Sequence, residues 1–264
     1  MKLGINIDHV AVLREARRIN DPDILMALDT ATQAGADQIT IHLREDRRHI
    51  QDIDVKRIIE SSWVPVNVEC SINQDILDII CKLQPHRATI VPENRQEITT
   101  EGGLDIFSNE SAVANAIQQL HDWLIPVSLF IDPTIEAVGK SKELGAEMIE
   151  LHTGEFANLY AMLNSSLRHT KHSIKELELP RYELASRLEK AIQALKKSAK
   201  EAKALGLEIA AGHGLNYINI KPILQINEIT ELNIGQSIIA RSVFTGLNDA
   251  VKEMKKLIYE KHCN

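Results

Sequence analysis

Short apolar runs punctuate the chain at 3–7, 38–41, 65–68, 88–91, 127–131, 148–151, 208–211 and 228–234. Each is only a few residues long, rich in Ile, Val and Leu, and bounded by Gly, Asp, Pro or a charged residue. Runs of that kind predict buried strands of a parallel sheet. Between them the apolar positions recur at helical spacing. Ile24, Leu25, Leu28 and Ala31 predict a helix that Asp21-Pro22 starts, with an N-cap and a first-turn proline, and that Gly35 stops. Further helices are expected over 51–61, 72–83, 111–120, 135–144 and 182–205, with a closing one marked by Leu247, Val251, Met254 and Leu257.

Strand and helix alternate eight times in 264 residues with no linker-like segment between them. That order predicts an α/β fold, a single (β/α)₈ TIM barrel over 1–264, with extra pieces before the first helix and within 155–178. A doubly wound open sheet is the rival. It is weakened by Asn6-Ile7-Asp8-His9 standing where a Gly-x-Gly-x-x-Gly fingerprint would follow the first strand.

Composition narrows the function. Apolar residues make up 44% and aromatics 4%, so the core must be aliphatic. A net charge of −7 argues against nucleic acid as a partner, and any anion site must be a local concentration of Arg and backbone N–H groups. Three cysteines, Cys70, Cys81 and Cys263, lack metal spacing and have an odd count. No signal-like start and no apolar stretch near the ~18 residues of a membrane span are present, so the expectation is a soluble cytoplasmic protein without membrane partners.

The candidate chemistry lies where the predicted strands end. After the second strand comes His42-Leu43-Arg44-Glu45-Asp46-Arg47-Arg48-His49, with residues able to bind anions and move protons. As a charge run alone it reads first as a solvated surface turn; the other strand ends shift that reading. The other strand ends carry Asn6 and Asp8, Glu69, Thr99, Asp132, Glu150 and His152, His213, and Gly235. In a barrel these ends meet on one face. Asn6 and Asp132 could be turn residues, and His152 a satisfied core histidine. Glu69 is harder to dismiss, because an unpaired carboxylate at a buried strand end is costly and its pKa must move. Gly212-His213-Gly214 and Gly235-Gln236-Ser237 follow the last two strands, where barrels bind phosphate on backbone N–H groups. Arg44, His49 and Thr99 could hold a second phosphate. No His-x-His metal motif follows strand one and no strand ends in lysine, which lowers a metal hydrolase and a Schiff-base aldolase.

Several blocks then resemble one family. Gly4-Ile-Asn-Ile-Asp-His9, Leu13-Arg-Glu-Ala-Arg17, the octapeptide 42–49, Val91-Pro92-Glu93, Thr99-Thr-Glu-Gly-Gly-Leu-Asp105, Ile149-Glu-Leu-His-Thr-Gly154, Ala211-Gly-His-Gly-Leu215 and Leu232-Asn-Ile-Gly235 are similar to pyridoxine 5′-phosphate synthases, in order and over nearly the whole chain. The resemblance implies a barrel with extra helices, assembled as a homo-octamer of dimers. It also implies condensation of 1-deoxy-D-xylulose 5-phosphate with 3-amino-2-oxopropyl phosphate to pyridoxine 5′-phosphate, without cofactor or metal. By position, His42 and Glu69 resemble the proton acceptors, His213 the proton donor, and Glu150 the carboxylate that stabilises transition-state charge. Asp8, His9, Arg44, His49 and Thr99 resemble the pentulose-phosphate contacts; Asn6, Arg17, Gly214, Gly235 and Gln236 resemble the amino-ketone phosphate contacts. Gln236 stands where many relatives have histidine, and 155–178 is longer than in shorter members. Another metal-independent sugar-phosphate enzyme, an isomerase or aldolase, is the alternative, and a non-catalytic phosphate-binding barrel a third.

Overall fold

The computed structural model describes residues 1–93 and 102–260. Its strands are β1 (Lys2–Asn6), β2 (Gln38–His42), β3 (Val66–Cys70), β4 (Arg87–Ile90), β5 (Val127–Ile131), β6 (Met148–His152), β7 (Glu208–Gly212) and β8 (Glu231–Ile234). They form a closed barrel in chain order. All neighbours are parallel, and β8 closes on β1 from Lys2↔Glu231 to Ile5↔Ile234. The helices are α1 (Asp8–Glu15), α2 (Ile24–Gln33), α3 (Asp52–Ser61), α4 (Gln74–Leu83), α5 (Glu110–Asp122), α6 (Ile135–Glu143), α7 (Gly154–Asn164), α8 (Arg181–Ala204), α9 (Ile220–Leu224), α10 (Gln236–Thr245) and α11 (Leu247–Glu260).

Side chains alternate along each strand, and the two faces have opposite chemistry. Leu3, Ile5, Ile39, Ile41, Val66, Val68, Leu129, Ile149, Leu151 and Leu232 are fully buried in the apolar core with residues of the helices. Each contributes about 1.5–3 kcal/mol by leaving water. The intervening positions, among them Gln38, Thr40, His42, Asn67, Glu69, Arg87, Thr89, Glu150, Glu231 and Asn233, point into the barrel. Their hydrogen bonds join strands that are not neighbours in the ring, as in Arg87–Gln38 (2.8 Å) and Asn233–Glu150 (2.6 Å).

Four details depart from the sequence reading. Residues Asp8–Glu15 form a helix, α1, whose buried face is Asp8, Ala11 and Arg14 while Val12 and Leu13 are exposed. Its period is carried by charges, so hydrophobic spacing misses it. The cap of α2 is Asp23, whose side chain accepts from the Leu25 N–H at 3.1 Å, and Asp21-Pro22 lies ahead of it. Strand β8 begins at Glu231, because Ile226 and Ile229 are buried in a turn after α9 rather than in an extended run. The stretch 155–178 begins inside α7, a regular helix with buried Phe156, Leu159 and Met162, and only then continues into two short 3₁₀ turns, Leu167–His169 and Lys175–Leu177.

The inward face of α1 is locked by one buried pair. Arg14 donates to both Asp54 oxygens at 2.8 and 2.7 Å and to the His49 carbonyl at 3.1 Å. Asp54 also accepts from the Gln51 N–H at 2.9 Å, closing the start of α3. Removing one partner leaves an uncompensated buried charge. Asp54→Ala is therefore expected to cost about 3 kcal/mol, read as a lower urea midpoint at unchanged slope.

Candidate active site

A cavity of about 390 Å³ opens at the carboxyl ends of the strands. Asn6, His9, His42, Glu69, Glu150, His213, Gly214, Gly235 and Gln236 line it, with Phe130, Asn216 and Asn233. Nine of the residues singled out in the sequence thus meet in one place. Asp8 lies beside them, buried: its carboxylate accepts from the Asn6 side chain (2.9 Å) and from the His42 N–H (3.0 Å), tying β1 to β2. Asn6 in turn accepts from the Asp8 N–H at 2.9 Å, so it is both a turn residue and a cavity residue.

The charged loop after β2 is partly self-neutralising. Asp46 bonds Arg44 at 3.2 Å and Arg48 at 2.9 Å, and Arg47 bonds Asp52 at 2.6 Å. The same loop nonetheless reaches inward. Arg44 lies 3.5 Å and His42 3.6 Å from the carboxylate of Glu93, which also accepts from the Glu45 N–H at 2.9 Å. Burial opposes the Glu93 charge, but these donors outweigh it and hold its carboxyl below the usual range. The His49 ring is 6.2 Å from that of His42, and its Nδ1 accepts from the Ile50 N–H at 2.8 Å. Burial lowers the His49 pKa.

His213 follows β7 with a positive φ of 78°, a strained conformation for a residue with a side chain. The Thr153 hydroxyl secures that turn, 2.6 Å from the Gly212 carbonyl and 2.5 Å from that of His213. Around the ring stand His152 at 5.1 Å and Phe130 at 6.4 Å. Burial, with His152 adding to it, pushes the His213 pKa down to about 4. His152 is fixed by Asp132, 3.2 Å from its Nδ1, and Asp132 also accepts from the Gly103 N–H at 2.9 Å.

The carboxylates shift the other way. Burial first, then the charges of Glu150 and Asp8, push Glu69 well above the ordinary range. Glu150 is raised to about 7, chiefly by burial, against the lowering effect of its bond from Asn233. A site whose acids hold protons and whose histidine sheds them transfers protons near neutrality.

Gly214 and Gly235 line the cavity, but their lack of a side chain is required by packing. A Cβ at Gly214 would fall 2.6 Å from that of Ala157, and one at Gly235 2.8 Å from that of Asn6. Arg17 lies past the end of α1, exposed and outside the cavity. Thr99 lies outside the described residues. Sequence reasoning missed Asn233 as a cavity group and Glu93 as the partner of Arg44 and His42, although both stood in the blocks that carried the resemblance; inward alternation along β8 was the available signal for Asn233.

The family model described as pyridoxal phosphate biosynthesis protein PdxJ matches residues 3–260. The chain belongs to the PdxJ family. A relative from Sulfurimonas denitrificans is 72% identical over 97% of this chain and 99% of its own. One from Nitratiruptor sp. is 60% identical over the whole of both. Each is named pyridoxine 5′-phosphate synthase. Among solved structures, thiamine phosphate pyrophosphorylase from Pyrococcus furiosus aligns with a TM-score of 0.56 at 13% identity, covering 98% of this chain and 96% of that one. Phosphoribosyl anthranilate isomerase from Thermus thermophilus aligns at 0.54 and 13%, covering 100% and 98%. At that identity the likeness is one of fold: PdxJ members share the barrel with these enzymes.

The raised Glu150 has a consequence for stability. Its folded pKa exceeds the ~4.3 of an unfolded glutamate, so the folded state binds the proton more tightly and stability falls as pH rises from about 4.5 to 7. Glu150→Gln is expected to gain on the parent across that window, by at most about 4 kcal/mol at pH 8. Urea titrations at pH 4.5 and 8 check this; a difference that does not change with pH would contradict it.

Proposed function

We propose that the chain condenses 1-deoxy-D-xylulose 5-phosphate with 3-amino-2-oxopropyl phosphate, closes the pyridine ring, and releases pyridoxine 5′-phosphate, inorganic phosphate and water. The observation that carries this reading is the meeting of two histidines and two raised carboxylates in one cavity of a chain 72% identical to a named synthase. The amino ketone brings the amine that attacks the sugar ketone, so no lysine is required at a strand end.

His42 and Glu69 are assigned as the proton acceptors and His213 as the donor; Glu69, whose carboxyl burial and neighbouring charges keep protonated at rest, accepts only after it has passed its own proton on. Burial keeps the resting His213 imidazole neutral, so the proton it passes to a leaving oxygen is one it has first taken from the substrate or a neighbouring acid, and from an imidazolium held at about 4 that transfer is fast. Glu150, once it has given up its proton, accepts from the Asn233 amide and stabilises positive charge on the condensing nitrogen. The start of α10 at Gly235, Gln236 and Ser237, beside Gly214, is the seat of one phosphate, because the first N–H groups of a helix have no partner within it. Asn6 joins that set, and Arg17, which lies outside this chain's own cavity, would join it from a neighbouring copy. The second phosphate belongs with Asp8, His9, Arg44, His49 and Thr99, where Arg44 would exchange Asp46 for the ligand.

Self-association into a homo-octamer of dimers is part of the same reading. Leu13 on α1 and Val243 and Phe244 on α10, two helices in contact, are 64%, 76% and 88% exposed, an apolar surface that a partner would cover. A partner on that face would bring Arg17 near a cavity. Sedimentation velocity checks the assembly. The expected compartment is the cytoplasm, which cell fractionation checks. Among the described residues no helix is long and apolar enough to cross a membrane.

Purified protein given both phosphates is expected to form pyridoxine phosphate with stoichiometric phosphate release, and neither when one substrate is omitted. Turnover of a single sugar phosphate would instead favour an isomerase or aldolase. His42→Ala, Glu69→Gln and His213→Ala are each expected to lose about 10²-fold or more in kcat with an unchanged circular dichroism spectrum. Full activity in all three would remove the assigned roles.

A further inference from the structure

The inward side chains of the barrel include a continuous polar path that leads away from the cavity. It starts at Glu150 on β6. Glu150 Oε2 accepts from Asn233 Nδ2 at 2.6 Å. On its other side Asn233 Oδ1 meets the Thr40 hydroxyl at 3.3 Å and Gln38 Nε2 at 3.4 Å. Gln38 Nε2 also donates to Glu231 at 3.1 Å, while Gln38 Oε1 accepts from Arg87 Nη2 at 2.8 Å. Arg87 and Glu231 then form a close ion pair at the far end.

Chemistry gives this path a direction. A guanidinium only donates, so Gln38 must turn its oxygen to Arg87 and its nitrogen toward Glu231 and Asn233. Asn233 receives that N–H and the Thr40 hydroxyl on its oxygen, which leaves its own NH₂ facing Glu150. Both amide orientations thus follow from one fixed cation. Two strand glycines clear the space. A Cβ at Gly4 would fall 2.1 Å from Asn233 Oδ1, and one at Gly212 2.0 Å from Glu150 Oε1. Glycine inside a strand weakens it, so its presence at both contacts marks what the path requires.

We propose that Asn233, Gln38 and the Arg87–Glu231 pair are positioning residues that fix the orientation and the charge of Glu150 from the opposite end of the barrel. The inference rests on Glu150 being an active-site carboxylate. Its titratable and charged surroundings are Glu69 on β3, Arg87 on β4 and Glu231 on β8, with His42 on β2, His9 on α1 and His213 after β7 lining the same cavity. Burial raises the Glu150 pKa, the Asn233 bond and Arg87 lower it, and Glu231 raises it.

The two ends of the path therefore act with opposite sign. Asn233→Leu removes a donor to the carboxylate and is expected to raise the Glu150 midpoint by about one pH unit. Glu231→Gln removes a like charge and leaves Arg87 uncompensated, and is expected to lower it by about one unit. The midpoint is read by infrared titration of the carboxyl C=O stretch of the intact protein, assigned by its loss in Glu150→Gln. The acid limb of kcat should move in the same two directions. Should Glu231→Gln fail to fold, Thr40→Val, which removes one donor to Asn233, is expected to raise the midpoint by less than Asn233→Leu does.

Opposite shifts support the inference. For Asn233→Leu and Glu231→Gln, shifts of one sign, or none in folded variants, overturn it; where Thr40→Val stands in for Glu231→Gln, no shift, a fall, or a rise as large as that of Asn233→Leu overturns it. The infrared midpoint needs no turnover, so opposite shifts in a protein that makes no product would leave this inference standing and remove the proposed reaction. Normal wild-type turnover with unmoved midpoints would do the reverse.

Discussion

Closing eight short strands into a ring forces every second side chain into a space that water cannot freely fill. In this barrel most of those side chains are polar or charged. Each must find its partner among the others, because a buried polar group left unpaired costs several kcal/mol. Arg87 satisfies the demand at one end. Its guanidinium reaches Gln38, Glu231 and Asn67, and Thr89 bonds Asn67 at 2.8 Å. The apolar layers that fill many barrels are replaced here by a hydrogen-bonded axis, and the aliphatic core lies wholly outside the ring.

That arrangement accounts for the electrostatics of the cavity. Glu69 and Glu150 stand deep enough to lose hydration, with one amide and one distant cation to offset it, so both hold protons more tightly than free glutamate does. His213, beside a second histidine and against Phe130, loses its proton more readily. Glu93 differs because His42, Arg44 and the Glu45 N–H all face it. It stays charged, the fixed counter-charge beneath the cationic loop. Carboxyls lining the cavity and one beneath the loop beside it are therefore shifted in opposite directions, and the difference comes from how many donors and cations face each.

Much of this was legible in the chain. The eight strands, their parallel order and the convergence of Asn6, His42, Glu69, Glu150 and His213 follow from apolar runs that end in polar residues. The misses share a cause. Helix α1 buries Asp8 and Arg14 and exposes Val12 and Leu13, so a rule that equates apolar with inside reads it backwards. The same rule reads Gln38-Ile39-Thr40-Ile41-His42 as a β-branched run, although its alternation already separated a polar interior from an apolar exterior. Ile229 extended the reading of β8 because burial, not extended backbone, is what isoleucine reports. The partners of Asp54 and Glu93 lie 40 and 48 residues away, beyond any local pattern.

Barrel enzymes are commonly divided into a face that does chemistry and a face that confers stability. The division presumes an inert filling between them. Here Gly4 and Gly212 are the positions where strand propensity is given up, and each is the contact point of the axis with a neighbouring strand. A sheet that accepts two glycines to keep Glu150 and Asn233 in bonding distance gives up local stability for their alignment. The ion pair at the far end is costly to desolvate and would be replaceable by packed aliphatic groups if stability were its only role. Its connection through two oriented amides to a cavity carboxylate gives it a second one. The stable end and the reactive end of this barrel are therefore one electrostatic unit.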